Sequence, residues 1–298
     1  MRWIFYPVCY LISLLFLGEV QIPGQGTRLQ GTAFDVDLYC NLFLLNAAEN
    51  SLKLYSREGT LLREVGGSGW SDGQFDRPAG VWAQNGIDVF VADYGNHRIQ
   101  RFDRELNFVA SLSTRDNDNP DERFGYPTDI ALSRLGDLFI CDGENLRIVK
   151  VNSFVKVERT FGGFGAGKGR LQNPTELAIG SNDDIYVLDG ARIVVFDNFG
   201  NFVTELCEGL FKHPSCLYAD AHGVVVVDDD RLYCFDQADR PIFAAPMDSL
   251  MGGQHEAVHA VGAGKGTLYV LTKSGLQTMP DPRATVAHDD LDKEEKSR

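Results

Sequence analysis

The chain has 298 residues, 44% of them hydrophobic, 23% charged and 11% aromatic, and its 28 Lys and Arg against 42 Asp and Glu leave a formal charge of −14. That field repels polyphosphates, and no basic cluster interrupts it, so the composition argues against nucleic acid as a partner. Glycine, at 31 of 298 residues, exceeds the ~7% typical of globular chains and fits a turn-rich β protein better than a disordered one.

The chain opens with Met1 and Arg2, followed by an uncharged run from Trp3 to Leu17. Fifteen residues fall short of the ~20 a bilayer-spanning helix needs. The pattern reads as a signal peptide over residues 1–26, with Gly24-Gln25-Gly26 as the best small-x-small site, or as an uncleaved membrane anchor. Either reading places the folded body, residues 27–280, outside the cytoplasm (secreted or periplasmic). Membrane contact is expected only through an uncleaved N-terminal segment. Beyond Cys9, the cysteines at 40, 141, 207, 216 and 234 form no CxxC motif. Only Cys207 and Cys216 are close enough in sequence to suggest a disulfide, and most of the five read as small buried strand residues.

From residue 30 onward one unit repeats. Apolar runs start at Ser51, Arg98, Arg147, Arg192, Arg231 and Gly275, spaced by 47, 49, 45, 39 and 44 residues. A second run precedes each: LFLLN, DVFVAD, DLFICD, DIYVLD, GVVVVD and TLYVLT. A third run opens each unit and is marked by Pro78, Pro127, Pro174 and Pro214. A fourth starts at Thr60, Phe108, Val155, Phe202 and Pro241. Each run is short, rich in β-branched and aromatic residues, and bounded by Gly, Asp or Asn, so each reads as a strand. Four strands per unit, repeated, predict an all-β, six-bladed propeller of four-stranded antiparallel blades. The sixth unit ends after its third strand, and residues 24–30 are expected to supply the missing one, closing the ring with an N-terminal strand. Residues 281–298 hold six acids and four bases and read as a disordered acidic tail.

Two segments carry a family likeness: Gln74-Phe75-Asp76-Arg77-Pro78-Ala79-Gly80-Val81, and Asp93-Tyr94-Gly95-Asn96-His97-Arg98-Ile99-Gln100-Arg101-Phe102-Asp103. Together they resemble the NHL repeat, and PTDIAL with DGENLRIVKV and NPTELAIG with DGARIVVFD are weaker copies. The resemblance covers roughly residues 30 to 280 and implies a six-bladed β-propeller. It leaves function open, because NHL-like propellers include protein- and RNA-binding modules, amidating lyases and many secreted proteins.

Propellers of this kind place ligands at one mouth of the central channel. Counting back from the end of each second strand aligns Ala33, Gly80, Asp129, Glu176, Cys216 and His259 at that mouth, a candidate ligand-binding ring. Among these, Asp129, Glu176 and His259 are candidate ligands for a channel Ca²⁺ or Zn²⁺, or an acid–base set. The competing reading is a polar pore whose acids satisfy backbone donors. The repeated Asp93, Asp142, Asp189 and Asp228 read as turn-capping residues that accept from N–H groups two residues on. The repeated Arg98, Arg147, Arg192 and Arg231 are expected to pair with acids of neighbouring blades. The run Gly162–Gly169 lacks the Ser or Thr and the helix of a phosphate loop and reads as a connection. With no G-x-S-x-G or H-E-x-x-H motif, no catalytic residue is assigned. The leading expectation is a binding scaffold for a protein, peptide or small ligand. The alternative is a metal-dependent lyase or lactonase-like hydrolase.

Overall fold

A computed structural model of the chain describes residues 29–251 and 256–284. The first blade holds β1 (Ala33–Val36), β2 (Leu42–Asn46), β3 (Ser51–Tyr55) and β4 (Leu61–Gly66). The second holds β5 (Gly80–Trp82), β6 (Asp88–Asp93), β7 (Arg98–Asp103) and β8 (Phe108–Leu112). The third holds β9 (Pro127–Leu132), β10 (Asp137–Asp142), β11 (Arg147–Asn152) and β12 (Lys156–Phe161). The fourth holds β13 (Pro174–Ile179), β14 (Ile185–Asp189), β15 (Arg192–Phe196) and β16 (Phe202–Glu205). The fifth holds β17 (Pro214–Asp220), β18 (Gly223–Asp228), β19 (Arg231–Phe235) and β20 (Pro241–Pro246). A single helical turn, α1 (Met247–Leu250), then leads to β21 (Val258–Gly264), β22 (Thr267–Thr272) and β23 (Gly275–Pro280) of the sixth.

Within every blade the strands pair antiparallel in chain order, so each blade is a meander. The innermost strands β1, β5, β9, β13, β17 and β21 touch one another in sequence, and β21 touches β1, closing a six-bladed ring. The second strands are buried on both faces, as in Leu138-Phe139-Ile140-Cys141, because a blade lies on either side. The outer strands alternate, as in β12, where Val157 and Phe161 are buried and Lys156 and Glu158 are exposed. Apolar layers therefore fill the seams between blades. Phe43, Leu45 and Leu52 meet Phe75, Val89 and Phe102 between the first and second blades, for example. Each fully buried side chain of that size contributes ~1.5–3 kcal/mol, and a lone blade could not bury them.

The sixth blade has three strands among the described residues, and the proposed closing segment lies mostly outside them. The first described residue, Leu29, has its backbone beside Gly275 at the start of β23. The signal or anchor segment at 1–26 and residues 285–298 of the tail also fall outside the described residues. One boundary is corrected. Residues 281–284 do not join a solvated tail, because Asp281 and Arg283 are buried. The Arg283 guanidinium donates to both carboxylate oxygens of Asp220 (3.0 and 3.1 Å) and to Gly223 O (2.8 Å). A charge sequestered among these partners makes the segment part of the propeller.

The repeated Asp and Arg residues form a network other than the one expected. Asp93 Oδ1 accepts from Asp76 N (2.8 Å), and Asp189 Oδ1 accepts from Gln172 N (2.7 Å) and Asn173 N (2.6 Å). The donors thus belong to the connection entering the same blade rather than to the turn two residues on. Three of the four arginines pair with the aspartate of their own blade: Arg98 with Asp93 at 2.8 Å, Arg147 with Asp142 at 3.1 Å and Arg192 with Asp189 at 2.8 Å, while Arg231 lies over the Tyr233 ring. Each paired aspartate and arginine sit at opposite ends of one tight turn, which brings them together before any neighbouring blade can. His97 occupies the positive-φ place of that turn (φ 52°), as Asn50 and Leu146 do (52° each), a conformation that favours residues such as Asn and His. The cysteines at 40, 141, 207, 216 and 234 are free thiols, so no bond joins Cys207 to Cys216.

Candidate functional site

The innermost strands enclose a central cavity of about 280 Å³ lined by, among others, Asp35, Gly80, Thr128, Asp129, Glu176 and His259. Four of these strands carry a bulge near their start. In β9, Cys141 faces Asp129 while Asp142 faces Pro127, which leaves Thr128 unpaired. The same shift leaves out Thr175 in β13, Ser215 in β17 and His259 in β21. These extra residues re-aim the strand start. They form the mouth of the channel, where Ser215 and His259 are exposed.

The register corrects one candidate. Residues opposite the position before each second-strand end are Ala33, Gly80, Asp129, Glu176, Cys216 and Ala260. Blade six therefore contributes Ala260 at this level, and His259 is the bulged residue one step toward solvent. The blade lacks the proline that marks blades two to five, so its register is not fixed by spacing and is displaced by one residue.

Three members of the ring reach toward the following blade. Asp129 Oδ2 accepts from Leu177 N (2.9 Å), Glu176 Oε2 accepts from Leu217 N (2.7 Å), and the Cys216 thiol donates to Val258 O (3.6 Å). Gly80 is buried against Asp129, whose carboxylate fills the space a side chain at 80 would take. Asp35, two residues beyond Ala33, does the same one layer deeper: its Oδ2 accepts from Ala83 N (2.8 Å) and its Oδ1 from Val36 N (2.9 Å). Sequence reasoning missed Asp35. The signal was an acid inside the otherwise apolar inner strand Ala33–Val36.

Burial pushes these carboxyls up, because the ionised form loses its hydration. Asp129 is raised to about 7, with the charge of Asp35 adding to the effect and the Leu177 and Ile130 amides opposing it. Glu176 is raised to about 8 by burial and then by the charge of Asp129. Asp35 is raised to about 7 by burial, against the amides of Ala83 and Val36.

Among the described residues no three His, Cys, Asp or Glu side chains are arranged to hold a metal ion. Asp129 and Glu176 are engaged by backbone amides, and His259 stands at the rim, so this set does not fit a Ca²⁺ or Zn²⁺ as sequence suggested. What the arrangement does is fix the channel wall from blade to blade.

The comparisons agree with the fold. The NHL repeat model matches residues 124–151. The chain is 29% identical over 154 residues to Protein brain tumor of Drosophila melanogaster, spanning 50% of this chain and 14% of that protein. It is 31% identical over 106 residues to the probable peptidyl-alpha-hydroxyglycine alpha-amidating lyase pgal-1 of Caenorhabditis elegans, 35% of this chain and 29% of the other. The chain thus spans less than a third of the length of either relative. Among solved structures, virginiamycin B lyase from Staphylococcus aureus superposes with a TM-score of 0.59 at 13% identity, covering 86% of this chain and 88% of that one; at that identity the likeness is one of fold.

Proposed function

The chain is an NHL-repeat β-propeller with six blades, and we propose that it is a non-enzymatic binding scaffold, holding a protein, peptide or small ligand at the channel mouth. The observation that carries this reading is the use made of Asp129 and Glu176. Each carboxylate holds an amide of the next blade, which gives a preformed wall beneath an open polar rim. We further propose an extracytoplasmic location, supported by the fifteen-residue apolar run after Met1 and Arg2. Fractionation of producing cells with N-terminal sequencing tests it.

The scaffold reading is tested with a photo-crosslinking residue placed at Thr175, at the mouth, and in parallel at Leu135, on a hairpin of the opposite face. Cross-linked products from Thr175 and none from Leu135 are expected. The reverse pattern would overturn the reading. A second reading, a lyase or lactonase-like hydrolase, is favoured by the 106-residue similarity to the amidating lyase. Release of amidated peptide from a peptidyl-α-hydroxyglycine by the purified protein would establish it over the scaffold.

A further inference from the structure

Beside the channel, three mouth-side loops of the second and third blades are knitted into one surface. Connection 67–77 is drawn inward by the buried Arg98, whose guanidinium donates to the carbonyl oxygens of Trp70 (2.9 Å), Ser71 (3.0 Å) and Gln74 (2.9 Å). Asn96 Nδ2 adds a bond to Gly69 O (2.8 Å). With the loop's carbonyls turned in, the Trp70 indole is turned out and is 70% exposed.

The neighbouring turn is tied to this loop, since Gly95 N donates to Asp76 O (2.8 Å). The next connection is tied to that turn, since Tyr126 N donates to His97 Nδ1 (3.1 Å). That bond makes Nδ1 the acceptor. Burial and then the charge of Arg115 hold His97 below the usual histidine range. The rings of Tyr94 and Tyr126 lie 5.1 Å apart, and that of His97 lies 4.0 Å from Tyr126. Aromatic side chains on a fixed backbone lose little freedom on contact, which is the character of interface anchors.

The charge around these anchors is unbalanced. Arg77 and Arg115 pair with Asp76 (3.3 Å) and Glu144 (3.4 Å) and lie over the Tyr94 and Tyr126 rings, while Arg123, whose Nε donates to Asn117 O (2.7 Å), keeps its charge and is outweighed by the acids around it. Asp72, Asp116, Asp118 and Asp121 on the same loops are exposed, and the whole chain carries −14. The unmatched charge is negative, so complementarity selects a cationic partner, and an exposed indole face is the best aromatic acceptor for a cation.

We propose that this surface docks a basic protein segment, a Lys or Arg of the partner lying on the Trp70 indole and its neighbours meeting the exposed acids of the same loops. The inference rests on the mouth face being a binding face and names the chemistry of its partner. Calorimetric titration of the full chain with hexa-arginine, and with hexaglutamate as control, tests it. Saturable binding of hexa-arginine alone, weakening as salt rises, is expected. Trp70→Ala should lower affinity about tenfold, the ~1.4 kcal/mol equivalent. Phe164→Ala, an exposed aromatic on the following connection, should leave affinity unchanged; a matching melting temperature for each variant shows that its fold is intact. Equal binding by Trp70→Ala and wild type would mean that a diffuse field does the attracting and would overturn the proposal, as would no binding of hexa-arginine. Neither result touches the mouth-face reading, which stands or falls on the cross-linking at Thr175.

Discussion

The carboxylate of Asp129 occupies the space where a Cβ on Gly80 would stand. Two neighbouring blades thus share one site in the channel wall, and the residue of one must be absent for that of the other to reach its amide. Gly80→Ala should push Asp129 from Leu177 N and leave that amide without a partner. Such a loss costs ~1–3 kcal/mol, which a thermal melt reads as a drop of several degrees. In an Asp129→Ala background the same substitution should cost less, because the carboxylate clash has gone and only the tight approaches to Asp129 Cα (3.0 Å) and Thr128 O (3.2 Å) remain.

The raised carboxyls make stability depend on pH in a definite sense. Burial and then the charge of Asp129 push Glu176 up to about 8 in the folded chain, against 4.5 for a free glutamate carboxyl. The folded state therefore binds the extra proton between those values, and the stability it contributes is full below about 4.5 and is lost as pH rises through about 8. Glu176→Gln keeps a carbonyl for Leu217 N and removes the titration. Compared with wild type, the variant should gain roughly 3 kcal/mol on going from pH 5 to pH 8. Chemical denaturation at the two pH values would show it, and a pH-independent difference would refute the raised titration.

Arg98 and Arg192 pair with equivalent aspartates, yet the side chain of Arg98 is 8% exposed and that of Arg192 24%. Removing the first leaves Asp93 charged in the interior, a loss of ~3–5 kcal/mol. Arg192→Met bares Asp189, which is equally buried, but releases one carbonyl, that of Arg170, where Arg98 serves three, and should cost less. Arg98→Lys should recover only part of the loss, since an ammonium cannot serve Asp93 and three carbonyls together. Denaturant midpoints of the three variants rank these expectations.

The C-terminal boundary can be located by truncation. Deleting residues 285–298 should leave the melting temperature unchanged, whereas deleting 281–298 removes Arg283 from Asp220 and Gly223 O and should lower it by several degrees. Arg283→Met alone should reproduce most of that loss, because Asp281 stays buried without its cation.

The blades were legible because their signal is redundant. Asp88–Asp93 and Arg98–Asp103 form strands at the places the repeated runs mark, and a slip in one copy is visible against the others. The residues that read poorly stand outside that redundancy. Blade six has lost its proline, so nothing in the chain distinguishes His259 from Ala260 until pairing with Leu271 settles the register. Arg283 sits among charges that compose like a solvated tail, and only its distant partners Asp220 and Gly223 bury it. The pairing of Arg98 with Asp93 needed the geometry of a tight turn, which spacing alone does not convey.

The reaches of Asp35, Asp129, Glu176 and Cys216 all run forward, from blades one, three, four and five into two, four, five and six. Where Gly80 and Ala260 stand there is no such crossbar among the described residues; the second blade is tied to the third instead by Tyr126 N donating to His97 Nδ1 (3.1 Å), whereas the last blade meets the first through packing of Phe34, Val36 and Leu271. The circle should consequently breathe at this one hinge, and amide exchange should spread outward from it. A molecule gripping both sides of that gap would harden the entire ring without entering its centre.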